Sequence, residues 1–171
     1  MTARAPYDSR AVANFLLDLA NGRNLSLTQL SLYKIIYFAH GWYLAQTGAP
    51  LIEHDFEAWK LGPVVKVLRD EFSACRERPI TLRARKLDIY SGNRIPVAPD
   101  LDPKDSVFVR TIFETYHIHD AWKLSEMTHE AGSPWDMIWN AIEPVGRLGL
   151  RIRNRDIREH FAKLPQRFRL M

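Results

Sequence analysis

Apolar residues crowd one stretch of the chain. From Leu30 to Leu44 the residues Leu30, Leu32, Tyr33, Ile35, Ile36, Tyr37, Phe38, Ala39, Trp42, Tyr43 and Leu44 occupy every side of a 3.6-residue wheel rather than one stripe. A helix apolar all round is a buried one. Lys34, His40 and Gly41 interrupt the run, so no uncharged stretch reaches the 18 or so residues of a membrane span. The pattern predicts a central helix over about 28–47, capped by Ser26 or Thr28 and stopped by Gly48, Ala49 and Pro50.

Other helices read as one-sided. Val12, Phe15, Leu16 and Leu19 recur at three- and four-residue spacing behind a cap at Asp8 or Ser9, and Asn21-Gly22 closes that helix in a left-handed turn. Gly62-Pro63 suits a turn followed by a helix from Pro63 to Cys75, with Val64, Val65, Leu68 and Phe72 inside. Asp102-Pro103 restarts helix, with Val107, Ile112, Phe113 and Tyr116 inward and Lys104, Asp105 and Arg110 outward. Asp120 caps a helix over 121–130, and Ser133-Pro134 opens a last short one over 135–142.

Between Pro79 and Val97 the period changes to two: Ile80 and Leu82 alternate with Thr81 and Arg83, and Leu87, Ile89 and Tyr90 precede a Ser91-Gly92-Asn93 turn. Short strands are expected here, in a small sheet completed by the segment around Phe56 and Trp59, with Pro96 at an edge or in a loop. The fold class is therefore mostly α with a small β-sheet (α+β), helices packed around one central buried helix. A globular domain is expected over 1–143. A basic extension over 144–171, a strand near Arg147 to Arg153 and a capped helix over 154–163 facing inward through Ile157 and Phe161, is expected to pack on it.

Charge changes that picture only locally. The chain of 171 residues carries +4 at neutral pH with a pI of about 9.3. Residues 147–171 hold eight basic side chains against Asp156 and Glu159, a net +6, and the first 146 residues hold 16 basic and 18 acidic side chains, a net −2. Any electrostatic footprint on nucleic acid is thus expected at Arg147, Arg151, Arg153, Arg155 and Arg158. Cys75 is the single cysteine, so no disulfide forms within the chain, and with an N-terminus lacking an apolar leader the expected location is the cytoplasm.

Candidate chemistry is sparse. His117-x-His119 has a spacing that unites two rings only on a strand, whereas the pair closes a helix. His129-Glu130 lacks the second histidine of a zinc-peptidase motif. His40 and His129 read as core histidines tying helices together, and Cys75 as a buried thiol. No phosphate loop, nucleophile elbow or dinucleotide fingerprint occurs, so no metal, cofactor or catalytic set is expected and function is sought in a surface. Five tryptophans offer anchors for one. Trp59, beside Lys60-Leu61-Gly62-Pro63, is the best placed at a groove, where His129, Pro134 and Trp135 are expected to meet it.

The order of three segments carries a resemblance. They are K-I-I-Y-F-A-H-G-W-Y-L-A, then E-A-W-K-L-G-P-V-V, then Leu124, Thr128-His129 and Pro134-Trp135. Together they resemble the Panacea domain of SocA-like antitoxins, also met as phage-associated proteins, over about Tyr7 to Asn140. The resemblance implies a non-enzymatic protein that neutralises a cognate protein toxin by direct contact. It also implies an adaptor role, delivering the toxin to a protease. The expected partner contacts are Trp42, Trp59, Lys60, Gly62, Pro63, His129, Pro134 and Trp135. The alternative is a nucleic-acid-binding regulator using the basic tail. Homo-oligomerisation stays open, and no membrane partner is expected.

Overall fold

Every residue from Leu32 to Leu44 is buried, in one unbroken run inside helix α2 (Gln29–Thr47). The computed structural model describes residues 4–141, 143, 146 and 149–165. Around α2 lie α1 (Ser9–Asn21), α3 (Lys66–Phe72), α4 (Pro103–Tyr116), α5 (Ala121–Thr128), α6 (Pro134–Trp139) and α7 (Asn154–Lys163). All but α6 share extensive contact with α2. The architecture is mostly helical with small antiparallel sheets. Among the described residues no helix is long and apolar enough to cross a membrane.

Local signals set most boundaries. Asp8 accepts from the Arg10 N–H at the start of α1, Thr28 from the Ser31 N–H at α2, Asp102 from the Lys104 N–H at α4, Asp120 from the Lys123 N–H at α5 and Ser133 from the Asp136 N–H at α6. Gly48 ends α2 at φ +75°, the left-handed geometry expected beyond a helix. Gly22 instead keeps a right-handed φ of −62°, and the sign change falls two residues later at Asn24.

Strands depart further from expectation. Gly62-Pro63-Val64-Val65 does not begin a helix. It forms β2 (Gly62–Val65), the return arm of a hairpin with β1 (Phe56–Trp59), joined by Lys60 and Leu61. Proline is tolerated because β2 lies at the edge of the sheet, with one side free of ladder bonds. β1 is the central strand of the order β2-β1-β5, its second partner being β5 (Leu150–Ile152). The segment around Phe56 and Trp59 therefore completes a sheet with the chain's basic end. The Pro79–Val97 region forms a separate two-stranded arm of β3 (Arg85–Leu87) and β4 (Arg94–Pro96). Ile80 and Leu82 lie outside both strands. Buried Asn14 anchors the arm, donating to the carbonyls of Ala84 and Val97 and accepting from the Ala84 N–H.

Two positions of α4 are reversed. Asp105 is buried because it accepts a 2.6 Å bond from the Tyr7 hydroxyl, and Val107 is 52% exposed. Burial and this bond push the Tyr7 phenol up.

The strand and helix at the chain's end place three side chains in the core. Ile152 faces Phe56 across the ladder, and Ile157 and Phe161 are buried. Phe161 meets Tyr37, Phe38 and Trp42 edge-on, and Trp42 donates through Nε1 to the Tyr116 hydroxyl. Asn154 makes no cap at the start of α7; its Oδ1 lies 2.9 Å from His40 Nε2. His40 Nδ1 accepts from the Ile52 N–H, so the ring ties α2 to α7 and to the approach of β1. Burial pulls its pKa down to about 4, which keeps it neutral.

Gly41 is what lets α7 approach. A Cβ there would lie only 2.3–2.5 Å from three atoms of the Phe161 ring, itself held by three aromatic neighbours. Gly41→Ala is therefore expected to lower unfolding free energy on the order of 1–3 kcal/mol in urea denaturation; an unchanged midpoint would show that Phe161 can move aside.

Candidate functional site

The β1–β2 hairpin reaches out from the core and is gripped through its backbone. Lys34 Nζ donates to the Pro63 carbonyl at 2.8 Å, Ser125 Oγ to the Leu61 carbonyl at 2.8 Å and Trp135 Nε1 to the Trp59 carbonyl at 2.7 Å. Donors from α2, α5 and α6 thus fix its tip, and the Lys34 bond caps the edge strand where a neighbouring strand would otherwise pair. Gly62, at φ +104°, sits so close to Lys34 and to Thr128 Oγ1 that a side chain there would displace both. The second sequence motif is thereby explained. Glycine and proline let the hairpin turn flush against the helices.

The residues expected to contact a partner divide into two layers. Trp42, Gly62, Pro63, Pro134 and Trp135 are buried. Trp42, expected among the partner contacts, lies buried in the aromatic core beside α7. Trp135 meets Trp59 as expected, but through that residue's carbonyl, with its own ring sandwiched by His129 at 3.7 Å and Trp139 at 5.6 Å. His129 is half-buried, and burial and the nearby Lys34 charge pull its pKa down. Of the expected contacts at the hairpin tip, Trp59 is partly exposed and Lys60 exposed.

Outside that tip runs a groove of about 560 Å³, lined by Trp59, Lys60, Leu61, Tyr33, Arg69 and Trp122 among others. Trp59 donates to Glu57 Oε2, and the Arg69 guanidinium stacks 4.3 Å from its ring centre. Trp122 is 64% exposed and Leu61 38%. Both were missed in the sequence. A wheel places Trp122 two positions, about 200°, from buried Leu124, hence outward. Leu61 becomes visible only once the hairpin is known.

The arginines of the chain's end are distributed differently. Arg151 pairs with Asp55 at 2.9 Å, Arg153 with Asp156 at 2.9 Å, and Arg155 with Asp156 and Glu159. Arg158 lies over Gly48, and Arg147 is outside the described residues. Cys75 is buried in a 3-10 turn. His117 stacks on Phe113 in the helix-end position expected of it. Among the described residues one trio has metal-like spacing, Asp8, Glu53 and His54. Asp8 already holds Arg10 and the cap of α1, and His54 Nδ1 lies 2.9 Å from Ser9 Oγ.

Lys34 is fully buried with a backbone carbonyl as its hydrogen-bond partner, and burial pulls its pKa from 10.5 down to about 7. The unfolded chain therefore binds this proton more readily than the folded one between pH 7 and 10.5, so stability rises with pH across that window. Below pH 7 the cost of the buried charge, about 5 kcal/mol at its upper limit, is present in full. Lys34→Met is expected to flatten that rise and to be the more stable form at pH 6. At pH 10 it is expected to lose about 1 kcal/mol for the unpaired Pro63 carbonyl. Parallel stability curves from pH 6 to 10 would contradict the assignment.

The model of the SocA-like antitoxin family, its Panacea domain, matches residues 32–136. That span runs from the start of the buried run of α2 through the hairpin to the first turn of α6. Antitoxin SocA of Caulobacter vibrioides (strain NA1000 / CB15N) is 41% identical over 154 residues, covering 90% of this chain and 82% of that protein. No solved structure matches.

Proposed function

This chain belongs to the family of SocA-like antitoxins that carry a Panacea domain, and from that premise we propose that it is an antitoxin that neutralises a cognate protein toxin by binding it directly. One observation carries the binding part of this reading. Exposed Trp122 and Leu61 and half-covered Trp59 line one groove at the tip of the β1–β2 hairpin, inside the span that the family model matches. Tryptophans set in a concave surface are the usual anchors of protein interfaces, and a standard interface would bury on the order of 1,600 Å² in total. Neutralisation in this reading needs shape and contact, with no bond made or broken by the antitoxin.

The tail is the natural seat of a nucleic-acid contact, and its charges support that alternative less well. Three of its arginines already face carboxylates, which reduces the cationic charge left to meet phosphates.

The test is co-expression with the product of the neighbouring open reading frame. Wild type is expected to restore growth to cells that this product alone arrests. The double variant Trp122→Ala, Leu61→Ser is expected to lose rescue while its melting temperature stays within about 2 °C of wild type, as exposed positions allow. Trp135→Ala is the contrasting control. It removes a buried ring and its bond to the Trp59 carbonyl, so a loss of about 3–5 kcal/mol in stability should accompany any loss of rescue. Full rescue by the double variant would place the toxin elsewhere.

A further inference from the structure

The groove at the hairpin tip is polarised as well as apolar. Among its lining residues are Lys60, Arg69 and Arg76, against one acid, Glu77. Lys60 and Arg76 form no ion pair among the described residues. Arg69 is 3.9 Å from Asp70, near the outer limit of such a pair, and spends its flat face on Trp59. Two helices also begin here. Thr28, Gln29 and Leu30 bring the first turn of the 19-residue α2 to the groove, and Ala121 and Trp122 bring that of α5. The start of α2, capped by the uncharged Thr28, adds partial positive charge to these side chains, whereas the Asp120 carboxylate that caps α5 offsets the charge of that helix end.

The wall is also set in advance. Arg76 is held at φ +52°, a backbone region unusual for a residue with a side chain, and its carbonyl accepts from Gln29 Nε2 of α2. That bond fastens the turn after α3 to the start of α2. The opposite wall, the hairpin tip, is fixed by the Ser125 and Trp135 bonds. A slot whose backbone is held from both sides needs little loop ordering when a partner enters.

We propose that the groove takes an acidic segment of the partner protein, one large apolar or aromatic side chain seated between Trp59 and Trp122 with carboxylates on either side of it meeting Lys60 and Arg76. This rests on the protein-binding reading above and names the chemistry of the partner's contact. A basic segment would face like charge from three side chains and the start of α2. A neutral one would leave the cations unmatched, which lowers association rate more than final affinity.

Three synthetic twelve-residue peptides test this. They share two leucines and one tryptophan and differ in carrying four glutamates, four glutamines or four lysines, each with a terminal fluorophore. In anisotropy titrations on the full chain at low salt, the glutamate peptide is expected to bind at least ten-fold tighter than the lysine peptide, with the glutamine peptide between. Raising salt to 0.5 M should shrink the difference to about three-fold or less, since exposed charges are screened. Lys60→Glu with Arg76→Glu should reverse the order, whereas Tyr90→Ala between β3 and β4, 93% exposed and outside the groove's lining, should leave it intact. Equal binding of all three peptides, or the same order in the charge-reversed variant, would overturn the proposal. So would a dimer in sedimentation that Trp122→Glu dissolves, because the groove's occupant would then be a second copy. The two readings fail separately. If wild type rescues growth and the charge-reversed variant rescues equally, the acidic contact is wrong and the antitoxin reading stands; if wild type does not rescue, the antitoxin reading falls whatever the peptides do.

Discussion

Enclosure of α2 on all sides is the constraint from which the rest of the structure follows. A helix with no solvent face must find internal partners for whatever polar groups it carries. Lys34 finds the Pro63 carbonyl, and His40 finds Asn154 and the Ile52 N–H. Each of these bonds reaches a different neighbour, so the polar interruptions of the helix become the points that fix the hairpin on one side and the chain's final helix on the other. Gly41, next to His40 in sequence, supplies the close approach that lets Phe161 fill the remaining space. Replacing Lys34 or His40 by an apolar residue of similar size would remove a desolvation cost but also a registration point, which is the usual reason buried polar groups are tolerated.

How much of this was legible beforehand depended on the range of the interactions involved. The buried helix, its cap at Thr28 and its stop at Gly48 were readable because they depend on neighbours within one or two turns. The caps at Asp102, Asp120 and Ser133 were readable for the same reason. Gly62-Pro63 misled because a Gly-Pro pair suits a helix start as well as an edge strand, and only β1 and β5 on the other side of the sheet decide between them. Asp105 and Val107 changed places because the Tyr7 hydroxyl, 98 residues away, selects the acid for the interior. The helix expected to be capped at 154–163 starts without a side-chain cap, and Asn154 pairs with His40, 114 residues away.

The surface was legible only in part. The sequence located the hairpin tip through Trp59 and Lys60 but offered buried Trp42 and Trp135 with equal weight, since a tryptophan's type says little about which way it faces. The division into a buried set that braces the hairpin and an exposed set that meets a partner requires coordinates. It also accounts for why one short segment, E-A-W-K-L-G-P-V-V, contains both kinds: Ala58, Gly62 and Pro63 hold the turn against the helices, and Trp59, Lys60 and Leu61 are what the turn presents.

The account stands on the braced hairpin tip and the start of α5 forming one contact surface. Amide hydrogen exchange, comparing the free chain with its complex with the neighbouring gene's product, addresses this most directly. Added protection confined to residues 59–64, 74–78 and 120–124 is the predicted result. Protection appearing only on the β3–β4 arm or along α7, with the hairpin tip unchanged, would contradict it.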